Sequence, residues 1–316
     1  MNDSSLVRVE QLYRYYGPLC AVNNISFEMG RGEVLGFLGP NGAGKSTTMQ
    51  MISGNLAPSA GRILIHGVDI LDHPREAKVH LGYLPEQPPL YRELTVDEYL
   101  AYCARLNRIP RAQRHGAVDA AKSRCGLTEV GRRLIGNLSK GFQQRVGIAQ
   151  AIIHNPAVII LDEPTVGLDP IQIREIRTLI HELSREHSII LSTHILPEVQ
   201  TICDRVIIIN QGKLVLNDTL AGLQRRMEGS SLLVAFRHPP APALLESMPG
   251  VEDIEILEAG RFRIYHGDSA DPAEAIVDRS VAEGWGLYEL TPQRLSLEQV
   301  FIQITQARPV EGEAAA

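Results

Sequence analysis

The stretch "EVLGFLGPNGAGKSTTMQMIS", Glu33 to Ser53, decides the fold. An apolar run, Val34 to Leu38, is followed by a glycine-rich turn and then by a segment with helical patterning that opens at Lys45. The turn, "GPNGAGKST" from Gly39 to Thr47, satisfies G-x-x-x-x-G-K-[ST]. Glycines let a backbone curl until successive N–H groups point inward at phosphate oxygens. The N-terminus of the next helix adds a favourable dipole. On this reading Gly39, Pro40, Asn41, Gly42, Ala43, Gly44, Lys45, Ser46 and Thr47 form a nucleotide-binding loop. Lys45 supplies a point charge for the β- and γ-phosphates, and Ser46 a hydroxyl for Mg²⁺. The alternative, a glycine-rich turn with a stray lysine, does not explain the strand before it and the helix after it.

Other apolar runs repeat the pattern. "AVIILDE" (Ala157–Glu163), "SIILSTH" (Ser188–His194) and "RVIIIN" (Arg205–Asn210) are β-branched and nearly continuous, as strands covered on both faces are. Helical patterns follow the first two, from Pro170 to about Ser184 and from Ile195 to about Cys203. This is α/β construction around a parallel sheet. Asp162 closes its apolar run, where a parallel strand delivers its ligand groups, and fits a Mg²⁺-linked carboxylate. Glu163 comes next; hydrolysis of a γ-phosphate needs a water held in line, and a carboxylate beside the metal can hold it. His194 ends a strand that arrives at the same edge. A lone histidine there is often incidental, so its case rests on what surrounds it. No N-K-x-D stretch for guanine is present, so guanine specificity is not expected.

Outside this body, "LVRVEQLYRYYG" and "NNISFEMGRGE" read as antiparallel strands. From about 93 to 137 the pattern turns helical, with Thr95 and Glu98 spaced as a capping box. After Gly229 the order "SLLVAF", "PALLESM", "VEDIEIL", "RFRIYH", "PAEAIVDRSVAEG", "GLYELT" is β-α-β-β-α-β, the order of a ferredoxin-like unit, closed by a helix "SLEQVFIQIT". The expected divisions are 5–230, an α/β P-loop domain with an antiparallel β subdomain and a helical insert; 231–306, a small α+β ferredoxin-like domain; and 307–316, a loose tail.

Composition excludes several classes. Of 316 residues, 44% are hydrophobic and 22% charged, as in globular proteins. No apolar run approaches a membrane-spanning length of about 18 residues, and no signal peptide is visible at the N-terminus. Four cysteines are scattered without C-x-x-C spacing, so thiols in a reducing compartment are expected and no metal beyond Mg²⁺. Net charge is −6 but uneven: from Arg105 to Arg145 ten Lys and Arg face two Asp and Glu, and from Ser231 to Ala316 six face fourteen. The basic stretch suits a solvated surface, or a surface near anionic lipid or an acidic partner. An acidic chain is a poor nucleic-acid ligand, and none is expected.

A second anion-binding pattern lies in "LSKGFQQR", Leu138 to Arg145. It resembles the signature motif of ABC-type ATPases, L-S-G-G-Q followed by Q-x-R, with Lys140 and Phe142 as departures. The resemblance extends in order through Tyr16 in "RYYG", "GYLPEQPPLY" (Gly82–Tyr91), "LDEPTVGLDP" (Leu161–Pro170) and His194, and spans about residues 5 to 230. It is most similar to the ATPase subunits of gliding-motility-type and drug-export systems of the ABC-2 class.

The resemblance implies roles. Tyr16 would stack on adenine. Ser139, Gly141 and Gln143, with Asp169, would bind the nucleotide held by a second copy, so that two chains sandwich two ATP molecules. Geometry alone also allows Ser139 to act on its own chain's nucleotide. Lys45, Glu163 and His194 would be catalytic, and Ser46, Asp162 and Gln87 would reach Mg²⁺. Glu86 occupies the place where the family's glutamine usually stands, so either Gln87 or Glu86 does that work. The implied function is ATP hydrolysis driving export of an unidentified substrate through separate integral membrane permease subunits. The chain would then be a homodimer, peripheral on the cytoplasmic face of the inner membrane. The rival class is a soluble ABC ATPase acting on ribosomes or DNA; those relatives usually carry two ATPase halves or a long coiled coil, and this chain has one P-loop.

Overall fold

A computed structural model of the chain describes residues 5–227, 231–258, 260–267 and 271–293. The helix expected over Ser296–Thr305 and the tail lie outside the described residues. The chain divides into two compact units, Met1–Leu220 and Ala221–Ala316. The last strand before this division ends at Thr219.

In chain order the first unit comprises β1 (Val7–Tyr16), β2 (Leu19–Met29), β3 (Val34–Leu38), α1 (Lys45–Ile52), β4 (Ala60–Ile65), β5 (Val68–Asp69), α2 (Pro74–Val79), β6 (Leu81–Leu84), α3 (Val96–Leu106), α4 (Arg114–Arg124), α5 (Lys140–Ile152), β7 (Val158–Asp162), α6 (Pro170–Leu183), β8 (Ser188–Thr193), α7 (Leu196–Ile202), β9 (Arg205–Asn210) and β10 (Lys213–Thr219). The helix α8 (Leu220–Met227) leads into the second unit, with β11 (Ser231–Phe236), α9 (Pro242–Glu246), β12 (Val251–Glu258), β13 (Arg261–His266), α10 (Ala273–Glu283) and β14 (Leu287–Gln293).

The central sheet has the order β10-β9-β3-β8-β7-β6. Strands β9, β3, β8, β7 and β6 are parallel, and β10 returns antiparallel along the edge. Every residue of β3, β7 and β8 is buried, which explains why their sequences are unbroken apolar runs and do not alternate. The register brings Leu38 opposite Thr193 and Asp162 opposite Ser192. Three carboxyl ends therefore stop at one level, and the loops that follow share one edge. That alignment builds the site.

The antiparallel sheet, β2-β1-β4-β5, packs on the same core. Its alternating apolar residues, among them Leu12, Ile25, Phe27 and Ile63, meet Phe37, Met49 and Ile207, with the Phe27 and Phe37 rings 5.9 Å apart. Each such side chain contributes about 1.5–3 kcal/mol by leaving water. In the insert, Thr95 and Glu98 complete the capping box in both directions, worth about 1 kcal/mol. An isolated bridge between Thr95 and Leu134 closes the insert at its base, a pairing that helical periodicity did not signal. The second unit is a four-stranded antiparallel sheet of order β12-β13-β11-β14. Its own core includes Phe236, Phe262, Ile264 and Trp285, with the Phe236 and Trp285 rings edge to face at 5.7 Å.

Candidate functional site

The loop between β3 and α1 closes tightly against its surroundings. Gly44 takes φ +103°, and a Cβ there would stand 2.5 Å from the carbonyl oxygen of Ala21, so both its angle and its neighbour require glycine. Lys45 is buried; its ammonium donates to the carbonyls of Gly39 at 2.9 Å and Pro40 at 3.3 Å. It also lies 3.4 Å from Glu163 Oε1. One cation thus spans its own loop and the acid at the end of β7.

Ser46 donates to Asp162 Oδ1 at 3.3 Å. Burial, opposed by the Ser46 hydroxyl and reinforced by the charges of Glu163 and Glu86, holds the Asp162 carboxyl above its ordinary value. A hydroxyl and a carboxylate side by side, with the carboxylate short of compensating positive charge, are hard oxygen donors suited to a divalent cation.

Glu163 is 6% exposed and adopts φ +49°, a conformation seldom used by residues other than glycine. Its N–H donates to Ser192 O at 2.8 Å, which ties the end of β7 to that of β8. His194 Nδ1 lies 2.8 Å from Glu163 Oε2. A carboxylate only accepts, so this contact places a proton on Nδ1 and leaves Nε2 as the outward nitrogen. The histidine's case, open on sequence alone, gains a partner here.

Of these groups, Lys45, Ser46, Glu163 and His194 line a cavity of about 450 Å³ together with Ala21, Asn41, Gly42, Gly44, Thr47, Glu86 and Val166; Asp162, Gly39, Pro40 and Ala43 are not part of its wall. The wall contains Glu86 and not Gln87. Tyr16 lies at the end of β1, 45% exposed, and does not line the cavity; the Arg14 guanidinium sits 4.8 Å over its ring. Ser139, Gly141, Gln143 and Asp169 are likewise absent from the wall.

Each of those four has a local role. Ser139 caps α5 by accepting from Phe142 N at 3.4 Å. Gly141 is buried against Gln172. Gln143 donates to the carbonyls of Ile135 and Leu138, at 3.2 and 3.1 Å. Asp169 caps α6, accepting from Ile171 N at 3.0 Å and Gln172 N at 2.9 Å. Lys140, a departure from the signature, places its ammonium against Gly167.

Three further residues join the site that sequence reading passed over: Thr165, Thr193 and Glu198, all buried. The available signal was a lone acid at Glu198 among apolar neighbours in α7. Among the described residues no helix is long and apolar enough to cross a membrane, and no cluster of metal ligands of the His, Cys, Asp and Glu type occurs.

The profile of the family described as ABC transporter matches residues 22–166. The chain is 33% identical over 305 residues to the bacitracin transport ATP-binding protein BcrA of Bacillus licheniformis, covering 95% of this chain and 97% of that one. It is 31% identical over 308 residues to the linearmycin resistance ATP-binding protein LnrL of Bacillus subtilis, covering 95% and 98%. Among solved structures, an ATP-binding subunit of an ABC transporter superposes with a TM-score of 0.64 at 32% identity, covering 70% of this chain and 93% of that one. These similarities leave the ribosome or DNA alternative without support.

Proposed function

Since this chain belongs to the ABC transporter family, as an ATP-binding subunit that hydrolyses ATP, we propose that two copies close over two nucleotides and so drive export through separate membrane permease subunits. The observation that carries the reading is the meeting of Lys45, Glu163 and His194 at one cavity of about 450 Å³. The loop from Gly39 to Thr47 holds the phosphates, with Lys45 opposing the charge on the β- and γ-oxygens. Glu163 accepts a hydrogen bond from the attacking water and sets it in line with the γ-phosphorus. The water oxygen bonds to phosphorus, the bond to the bridging β–γ oxygen breaks, and ADP and phosphate leave. His194, oriented by Glu163, meets the γ-phosphate. Ser46 and Asp162 would hold Mg²⁺, which when bound supplies positive charge to the phosphate oxygens. We assign the remaining metal-facing role to Glu86, because it lines the cavity with Ser46 and its charge acts on Asp162.

Ser139, Gly141, Gln143 and Asp169 act, on this reading, on the nucleotide of the second copy, and Tyr16 stacks on adenine. The first four are absent from the wall of their own chain's cavity, as action across an interface requires. ATP then joins two subunits and its hydrolysis releases them.

For the membrane partner, a cleft at the start of the insert, lined by Tyr91, Glu93, Leu94, Glu98, Tyr102 and Arg105, supports docking there. The basic stretch from Arg105 to Arg145 supports a peripheral position on the cytoplasmic face of the inner membrane. The bacitracin and linearmycin relatives support antibiotic export as the substrate class. The second unit, a β-α-β-β-α-β fold that we read as ferredoxin-like, is an accessory domain.

Purification of the tagged chain from detergent extract tests the assignment. Co-purification of integral membrane proteins with ATP turnover supports it; recovery with ribosomes, or as a free subunit only, contradicts it.

A further inference from the structure

Glu198 is a carboxylate in α7 with no exposed surface. A buried charge persists only where its lone pairs are answered. Here both oxygens are answered, one from the loop after β7 and one from the last residue of β8. Thr165 donates to Oε1 at 2.6 Å, and Thr193 donates to Oε2 at 2.9 Å. Arg177 of α6 brings Nη2 to 3.7 Å from Oε1, which supplies countercharge.

The two threonines are not arbitrary anchors. Thr165 stands two residues beyond Glu163, and Thr193 stands directly before His194. The Thr193 hydroxyl also accepts from Ile195 N at 3.0 Å, so the backbone on both sides of His194 is fixed to one oxygen. The segments at the ends of β7 and β8 are therefore joined twice: at the cavity by Glu163 and His194, and away from its wall by Glu198. Glu163 also sits at φ +49°, a conformation that costs a non-glycine residue free energy and that a fixed neighbouring loop helps to hold.

We infer that Glu198 is a positioning residue for hydrolysis: its carboxylate, bridging Thr165 and Thr193, sets the separation of the Glu163 and His194 loops so that the two side chains meet at the γ-phosphate. The inference rests on the reading that Glu163 and His194 act on ATP. Glu198 itself touches no substrate. An amide at 198 keeps the size of the carboxylate and can still accept from one threonine while donating to the other; alanine can do neither.

The test is steady-state turnover and equilibrium ATP binding in the full chain carrying Glu198→Ala, Glu198→Gln or His194→Ala, and in the double variant Glu198→Ala with His194→Ala. The inference predicts that Glu198→Ala lowers kcat by about tenfold or more while ATP affinity stays within about threefold, and that Glu198→Gln keeps about half of kcat. In the His194→Ala background, Glu198→Ala costs less than about threefold more, because two residues acting as a unit do not lose activity twice. A purely structural role would lower folded protein or ATP binding and would multiply with His194→Ala. If Glu198→Ala does not fold, Thr165→Val and Thr193→Val each remove one rung and carry the test; kcat within twofold of wild type for both would overturn the inference. Full turnover in Glu198→Ala, or a multiplicative double variant, overturns it as well. Full turnover in His194→Ala and Glu163→Gln instead overturns the underlying reading.

Discussion

Glu163 and His194, delivered by the neighbouring parallel strands β7 and β8, meet with Nδ1 2.8 Å from Oε2. Glu163 also faces Lys45 at 3.4 Å, so one carboxylate is held between a fixed cation and an orientable imidazole. In that position it can accept from water without releasing the loop lysine. Glu163→Gln keeps shape and loses the charge that polarises water. Turnover is expected to fall by about 10²–10⁴-fold with ATP binding retained. Single-turnover hydrolysis alongside equilibrium nucleotide binding checks this, and unchanged turnover would remove Glu163 from its role.

Glu86 and Gln87 make opposite predictions. Glu86 lines the phosphate cavity, and its charge reaches Asp162. Glu86→Ala is expected to raise the Mg²⁺ concentration needed for half-maximal turnover by about tenfold, the scale of losing one polar group near a bound ion. Gln87→Ala is expected to change it by less than about twofold on the same argument. A magnesium titration of both variants decides between them, and a larger effect at Gln87 would give the role to Gln87.

Acid sensitivity follows from Asp162. Burial raises its carboxyl, so it gains a proton at a higher pH than an ordinary aspartate, whose value is about 3.9. Magnesium binding needs the ionised form, and turnover at limiting Mg²⁺ is expected to fall as pH drops through that raised value. Stability runs the other way: the folded state binds this proton more readily than the unfolded chain, so the cost of the buried charge is present above the raised value and is relieved as pH falls. Glu86→Gln removes a like charge and should move the acid limb to lower pH. An unmoved limb in pH–rate profiles would contradict the proposed coupling.

The thiols provide an independent check on the fold. Burial pushes Cys103 up to about 11 and Cys125 up to about 12, and Cys203 is raised as well. Thiolate is the reactive form, so none of the three should react in the native protein near neutral pH. Cys20 is half-buried and donates to Val22 O at 3.3 Å. A thiol-specific chromophore is expected to count at most one cysteine in the folded chain and all four after denaturation. Rapid native labelling of two or more would contradict this packing.

Much of this was legible before any coordinate. The run from Val34 to Leu38 and the turn to Thr47 carry strand, cradle and helix in one line, because a buried parallel strand must be continuously apolar. Asp162, Glu163 and His194 could be placed on one edge by the same logic. Strand β6 was not read, since four residues, "LGYL", are too short for a periodic signal. Strand β10 alternates as a half-exposed edge should, yet lies between longer patterns. Loop residues were the hardest to place. Adjacent Glu86 and Gln87 differ by one position along the chain, and only the path of the backbone decides which side chain reaches the cavity. Glu198 gave only a weak signal for another reason: an acid in a short helix looks solvated until the two threonines that claim it are seen beside it.

The central claim is that Ser139 serves the nucleotide bound at Lys45 of another copy, and mixing inactive subunits tests it most directly. Lys45→Ala and Ser139→Ala chains, each expected to be inactive alone, are combined and ATP turnover is measured. Across a two-fold interface, a mixed dimer gathers both lesions at one site and leaves the other intact, so activity should return to about a quarter of wild type in an equal mixture. No recovery in a mixture shown to form mixed dimers, with Ser139 acting only within its own chain, would contradict the account.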